Sequence, residues 1–197
     1  MLSLHRIPRP PLSELVECLW YWEGAPTNHT YERLLPNGES AIIINLREGP
    51  LRIYDARDVR HYNDYGHAVL SGARSDCFVI DTNQQECVIG VQFKPGGAFP
   101  FFRVPASEVE GSSVALADLW PKRVGEIRER LLVASSPDAM FTVLERSLME
   151  QLVRSPELLP SCKPSVTGRR PTAKSGCSPS TFCTQQMRRW ARPRFIV

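Results

Sequence analysis

The sequence predicts an α+β protein in which a β-rich N-terminal part is followed by two helices and a basic tail. Short β-branched segments alternate with turn residues up to residue 102. Apolar residues then recur at helical spacing between 121 and 153, and Pro, Ser and Arg dominate the rest. Short strands at this spacing are typical of an antiparallel sandwich or barrel. Hydrophobic residues make up 42% of the 197 residues, which suffices for a substantial core.

The β-rich part contains one strand with an especially clear pattern, CVIGVQF at residues 87–93. The segment AIIINL follows the turn PNGES, and its β-branched residues favour strand over helix. Further strands are expected at residues 51–56, 67–73 and 77–82. Residues 1–12 contain three prolines and are expected to be irregular, whereas the apolar residues 13–23 are expected to form a short helix or strand.

The glycine-containing segment QFKPGGAFPFF follows the clearest strand. A phosphate-binding loop has its glycines before the lysine and a Ser or Thr directly after it. Here Lys94 precedes Gly96 and Gly97, and Pro95 lacks an N–H donor. The segment is therefore predicted to be a structural turn that leads from the strand into a packed aromatic corner.

Two helices are predicted after the β-rich part. The first has the apolar residues Val124, Ile127, Leu131 and Leu132 at helical spacing. The second helix is predicted to begin at Ser136, Pro137 and Asp138. Serine is a favoured N-cap residue, proline is favoured at the first helical position, and aspartate is stabilised at the positive end of the helix dipole. The second helix carries one apolar stripe made of Phe141, Leu144, Leu148 and Leu152.

The charge is distributed unevenly along the chain. Residues 1–154 hold 16 basic and 20 acidic residues, a net charge of −4. Residues 155–197 hold 8 basic and 1 acidic residue, a net charge of +7, so the two parts sum to the overall +3. Because this tail has few aliphatic residues, it is expected to be largely disordered. Such a tail either stays solvated or binds DNA without sequence preference.

A cytoplasmic location is expected. The chain has no run of about 18 apolar residues that would span a membrane, and its N-terminal segment lacks the apolar core of a signal peptide. Its six cysteines include no CxxC pair and are expected to be free thiols, as is usual in the cytosol.

Five separated segments, in order, resemble the N-terminal half of AraC-type transcriptional regulators over roughly residues 5–153. They are LLPNGESAIIINL, LSGARSDCFVI, VQFKPGGAFPFF, PASEVEGSSVALADLW and RERLL with FTVLERSLMEQL. The resemblance implies a cupin-like antiparallel β-barrel sensor domain (residues 1–120) and two packed helices that dimerise (121–154). It also implies helix-turn-helix motifs that bind promoter DNA, of which the tail (155–197) holds a possible remnant.

Residues 173–190 are similar to the turn and recognition helix of the first DNA-binding motif in that family. In this register Gly176 is the turn and Ser178 caps the helix, while Arg188 and Arg189 face DNA phosphates.

The helix that should come before this motif is poorly supported by the sequence. Residues 163–173 contain Gly168 and Pro171, and a proline inside a helix costs about 3 kcal/mol. No second motif follows. The expectation is therefore a truncated or frame-shifted gene product with doubtful autonomous DNA binding.

The expected partners are a small-molecule effector, a second copy of the chain and, through the tail, DNA. A small-molecule pocket is mostly apolar with a few polar groups. Its candidate residues are the aromatic Trp20, Trp22, Tyr31 and Phe93 and the polar Arg33 and Gln92. The alternative is that these aromatic residues are ordinary core and that Arg33 is a solvated edge residue.

The helical stripe has two possible packing partners. It packs on the chain's own barrel by default, or on a second subunit as the resemblance implies. The candidates for a dimer contact are Met140, Phe141, Leu144 and Leu148.

Catalytic and metal-binding signals are weak, and no enzyme activity, metal or cofactor is expected. His61 and His67 are six residues apart in what is expected to be a loop, whereas a cupin metal site needs a closely spaced pair with a nearby carboxylate. Ser71 lies in LSGA and not in a GxSxG elbow. The alternative to a regulator is a stand-alone cupin-like protein that binds a small molecule, or a metal-dependent enzyme.

Overall fold

The computed structural model describes residues 2–25 and 29–153, and these residues form an α+β fold with two antiparallel sheets. The six-stranded sheet has the order β1 (Leu2–Arg6), β2 (Val16–Glu23), β9 (Cys87–Phe93), β4 (Ala41–Asn45), β7 (Ala68–Ser71) and β10 (Ser113–Ala115). The four-stranded sheet has the order β3 (Tyr31–Leu34), β8 (Phe78–Asp81), β5 (Arg52–Tyr54) and β6 (Tyr62–Asp64).

Helices lie between and after the last strands. They are α1 (Phe99–Phe102), α2 (Ala106–Val109), α3 (Leu116–Leu119), α4 (Arg123–Leu132) and α5 (Pro137–Val153). Two 3-10 turns occur at Leu12–Glu14 and Thr82–Gln85. The predicted start of α5 is present, because the Ser136 Oγ accepts a hydrogen bond from the Ala139 N–H at 3.2 Å.

The α+β class is confirmed, and β9 has the bounds that the sequence pattern predicts. Three short strands have no clear signal in the sequence. Strand β1 lies at the sheet edge and is mostly exposed, β6 is exposed throughout, and β10 has three half-buried residues. Edge strands with little burial need no apolar alternation, so the pattern that predicts strands is missing from them.

One face of the six-stranded sheet is covered by the helices. Alternate residues of β2 and β9, such as Leu19, Ile89 and Val91, share a single buried cluster with α4 and α5. The helical residues of this cluster are Ile127, Leu131, Phe141, Leu144, Leu148 and Leu152. The two long helices therefore belong to the same core as the sheet.

The glycine-containing segment after β9 is a structural corner that packs against the first 3-10 turn. The Lys94 N–H donates to the Leu15 carbonyl at 2.9 Å, and the Lys94 Nζ donates to the Ser13 carbonyl at 2.7 Å. Gly97 passes so close to the Leu15 carbonyl that a Cβ atom would overlap it. Lys94 therefore forms hydrogen bonds within the protein, and Gly97 packs closely against the Leu15 carbonyl.

Candidate ligand-binding site

The second face of the six-stranded sheet lies against the four-stranded sheet and is mainly apolar. Its buried residues are Cys18, Trp20, Ala41, Ile43, Val69 and Val88. Leu51, which directly precedes β5, is buried with them, and the partly buried Trp22, Ile53 and Tyr65 pack against this group. We call this group the inter-sheet cluster. Alternation along the strands explains it, because successive residues of a strand point to opposite faces.

Trp20 belongs to this cluster and lies over a glycine on the neighbouring strand. The pairing register places Trp20 opposite Gly90, and Gly90 opposite Ile43. A Cβ atom at position 90 would overlap the Trp20 ring and lie 2.5 Å from the Ile42 carbonyl oxygen. The absence of a side chain at Gly90 is therefore what allows the indole to lie over this strand.

The four-stranded sheet contributes Glu32 to the same space. Glu32 pairs with Ile80, and Ile80 pairs with Ile53, which packs against the inter-sheet cluster. Residues directly opposite each other in a sheet share a face, so Glu32 faces the six-stranded sheet. Burial raises the pKa of the Glu32 carboxyl above its usual range, while His29 acts in the opposite direction.

Two further polar side chains lie at the inter-sheet cluster. Gln92 is paired with Cys18 and Ala41, and its Nε2 donates to the Ser40 carbonyl at 3.2 Å. Arg74, in the connection between β7 and β8, donates to the Ser113 Oγ at 2.8 Å. We call the cluster together with Glu32, Arg74 and Gln92 the inter-sheet site. An apolar surface with a few polar groups is the usual composition of a small-molecule site.

The raised pKa of Glu32 predicts a particular dependence of stability on pH. The folded state binds the Glu32 proton more tightly than the unfolded state does. The contribution of the Glu32 carboxyl to the stability of the fold is therefore greatest below its pKa in the unfolded state. That contribution is lost as the pH rises through the folded pKa. We therefore expect Glu32→Gln to raise the free energy of unfolding above that of the wild-type protein, and to raise it more at pH 7 than at pH 4. Urea unfolding across this pH range measures the difference.

The matched control is Glu48→Gln, which removes an exposed carboxylate. An identical pH profile for both variants would contradict the burial of Glu32.

Trp20, Trp22 and Gln92, three of the residues predicted from the sequence, come together on the inter-sheet face. Tyr31 and Arg33 do not join them. Arg33 pairs with Val79, which pairs with Tyr54, the neighbour of the inward-facing Ile53, so Arg33 lies on the outer face.

Tyr31 lies on the same outer face of the four-stranded sheet. Its ring packs edge-on against Tyr54, with 5.1 Å between centroids, and Tyr54 also contacts Tyr62. The Arg33 Nη2 donates to the Ala56 carbonyl at 3.0 Å. These residues therefore stabilise the outer surface and do not line the inter-sheet site.

Phe93 lies on the helix side of the six-stranded sheet. It is 2% exposed and packs against Phe101 and Phe102, with centroid distances of 5.4 and 6.1 Å. The physical reason is strand alternation: Gln92 faces the inter-sheet cluster, so its neighbour Phe93 must face the opposite way.

The residues named for a dimer contact lie mainly inside the chain's own core. Phe141, Leu144 and Leu148 are 2–3% exposed and belong to the cluster beneath the six-stranded sheet. Met140 is partly buried and packs against the same cluster. In this fold the three buried side chains are not accessible to a second subunit, because the sheet already covers them.

The candidate DNA contacts Ser178, Arg188 and Arg189 lie outside the described residues.

Within residues 2–25 and 29–153, no three His, Cys, Asp or Glu side chains group closely enough to hold a metal ion. His61 lies beside Asp58, with 3.0 Å between Nδ1 and Oδ2. Within the same described residues, Cys18, Cys77 and Cys87 form no disulfide bond. No helix in this described part of the chain has the length and apolarity to cross a membrane.

Sequence reasoning did not identify Glu32, Arg74 or Tyr65 as site residues. Glu32 lies in a short strand without clear apolar alternation, and Arg74 lies in a connection without periodicity. The sequence alone does not show on which face of a sheet such a charged residue lies, because that depends on how the strands pair.

The match to a protein family agrees with this two-sheet unit. A family model described as a domain of unknown function (DUF6597) matches residues 4–115, which run from β1 to the end of β10. This match covers more than half of the chain, and the chain therefore belongs to that family. No curated protein and no solved structure matches the chain.

Proposed function

We propose that the chain is an AraC-type transcriptional regulator whose cupin-like sensor domain binds a small molecule at the inter-sheet site. The observation that carries the proposal is the composition of that site. Trp20 and Trp22 provide an apolar aromatic surface, and the partly buried Glu32, Arg74 and Gln92 provide polar groups at its edges. As part of this proposal the protein works in the cytoplasm as a homodimer, through a surface other than the buried stripe of α5.

Strand β2 offers a physical route from the site to the C-terminal part of the chain. Its residue Trp20 faces the inter-sheet cluster, whereas Leu19 and Tyr21 face the helix-side core that includes α5. A ligand that displaces the Trp20 indole therefore acts on a strand that packs directly against α5, the last described helix. The proposed regulator uses this contact to couple ligand binding to the C-terminal tail, for which the sequence predicts little autonomous DNA binding.

The regulator function is tested by an electrophoretic titration of the full chain against the DNA upstream of its own gene. Random competitor DNA and increasing salt distinguish specific binding from charge attraction, since nonspecific binding weakens steeply with salt. Saturable binding that survives competitor supports the proposal. The double variant Arg188→Ala/Arg189→Ala should abolish it, with Lys163→Ala as the control that removes a tail cation outside the motif. Binding that disappears with competitor contradicts specific DNA recognition by the tail and leaves a ligand-binding sensor domain whose basic tail binds DNA without sequence preference.

A further inference from the structure

Arg74 is held in a fixed orientation by contacts on three sides. Its Nη1 donates to the Gly111 carbonyl at 2.9 Å, and its Nη2 donates to the Ser113 Oγ at 2.8 Å. The guanidinium carbon lies 4.8 Å from the centroid of the Phe78 ring. A planar guanidinium fixed by two acceptors and an aromatic face is ordered before any ligand arrives.

This guanidinium faces the inter-sheet site. Ser113 pairs with Ser71, which lies on the same face of β7 as Val69, a member of the inter-sheet cluster. Phe78 is two residues from the inward-facing Ile80 on β8 and so shares its face. Both contacts place the charge of Arg74 between the two sheets.

Among the residues that the structure describes, no carboxylate forms an ion pair with Arg74. Burial lowers the pKa of Arg74 below its usual value, and the nearby Tyr65 acts in the opposite direction. Arginine nevertheless remains protonated at neutral pH. A partly buried cation whose hydrogen bonds go only to neutral acceptors is stabilised further when a ligand supplies the opposite charge.

We propose that Arg74 binds the carboxylate of an amphipathic organic acid, whose apolar part packs on the inter-sheet cluster. This inference rests on the proposed sensor function and names its ligand class. After the contacts to Gly111 and Ser113, Nη1 and Nη2 each retain one N–H that a carboxylate oxygen can accept. The Arg74 Nε is buried without an acceptor among the described residues, so the existing contacts leave the guanidinium incompletely satisfied.

The test uses three probes of the same shape and different charge: 3-phenylpropanoate, 3-phenylpropan-1-ol and 3-phenylpropylamine. Their binding to the full chain is measured by tryptophan fluorescence and by calorimetry at millimolar concentrations. We expect the anion to bind at least about tenfold more tightly than the alcohol, as a charge-assisted hydrogen-bonded pair predicts. The amine should bind more weakly than the alcohol. Arg74→Gln should remove the preference for the anion and leave the affinity for the alcohol unchanged.

The matched control is Arg33→Gln, which removes a partly buried arginine from the outer face of the four-stranded sheet. It should keep the preference for the anion. Arg74→Lys keeps the charge without the planar fork, and it should retain part of the preference. This second variant keeps the test informative if Arg74→Gln fails to fold, which thermal unfolding will report.

Three outcomes would overturn the inference. If the wild-type protein binds anion and alcohol equally, the ligand class is wrong although the sensor function stands. If Arg74→Gln weakens both probes by the same factor, Arg74 has only a structural role. If neither the anion nor the alcohol binds the folded wild-type protein, both the inference and the proposed sensor function fail.

Discussion

Gly97→Ala is expected to destabilise the protein by about 2–4 kcal/mol, because the added methyl group overlaps a backbone atom that cannot move independently. The atom is the Leu15 carbonyl oxygen, which also accepts the Lys94 N–H at 2.9 Å. Relief of the overlap must separate the loop after β9 from the 3-10 turn before β2, and that separation breaks this hydrogen bond. Urea unfolding should show a lower midpoint with an unchanged slope.

The neighbouring glycine provides a matched control for this prediction. Gly96 has a φ of +75°, and apart from its chain neighbours no atom of the described residues lies within 4 Å of the position that its Cβ would take. Its replacement by alanine therefore causes only backbone strain. Left-handed backbone costs about 1–2 kcal/mol for a residue with a Cβ atom. We therefore expect Gly96→Ala to be the milder variant. Equal losses for the two variants would show that close packing against Leu15 is not what requires glycine at position 97.

The regular parts of the fold follow from local patterns in the sequence. Strand β9 combines β-branched residues with a clear turn at its end, and α5 combines a capping Ser136 with a long apolar stripe. Each signal involves residues that are near in sequence, so it can be read without the fold. The partner of the α5 stripe is a different matter, because a stripe specifies that it is buried and not which surface buries it.

The candidate site was only partly predictable for the same reason. Trp20 and Trp22 alternate along one strand, so their common face follows from the sequence. The same alternation separates Gln92 from Phe93, which cannot line one pocket. Whether Arg33 faces the other sheet depends on its pairing with β8. Alternation within its own strand shows which residues share a face, but not which of the two faces is turned inward.

Gly90→Val gives the sharpest test of the inter-sheet site, because packing and strand propensity predict opposite signs. Valine is favoured over glycine in a strand, so propensity alone predicts stabilisation. The structure predicts a loss of about 2–4 kcal/mol, because any side chain at position 90 overlaps the Trp20 ring and approaches the Ile42 carbonyl. Displacement of the indole should also shift the tryptophan emission and weaken binding of 3-phenylpropan-1-ol.

A glycine in open space provides the control for Gly90→Val. Gly125 lies within α4, and apart from its chain neighbours and the nearby backbone of α4 no atom of the described residues comes within 4 Å of the position that its Cβ would take. Gly125→Ala should therefore stabilise the protein by about 0.5–1 kcal/mol through helix propensity, without a change in ligand binding. If Gly90→Val is as stable as the wild-type protein and binds the alcohol normally, Trp20 does not lie over Gly90. The inter-sheet site would then lose the aromatic surface that Trp20 provides, and with it the main support for a ligand-binding function.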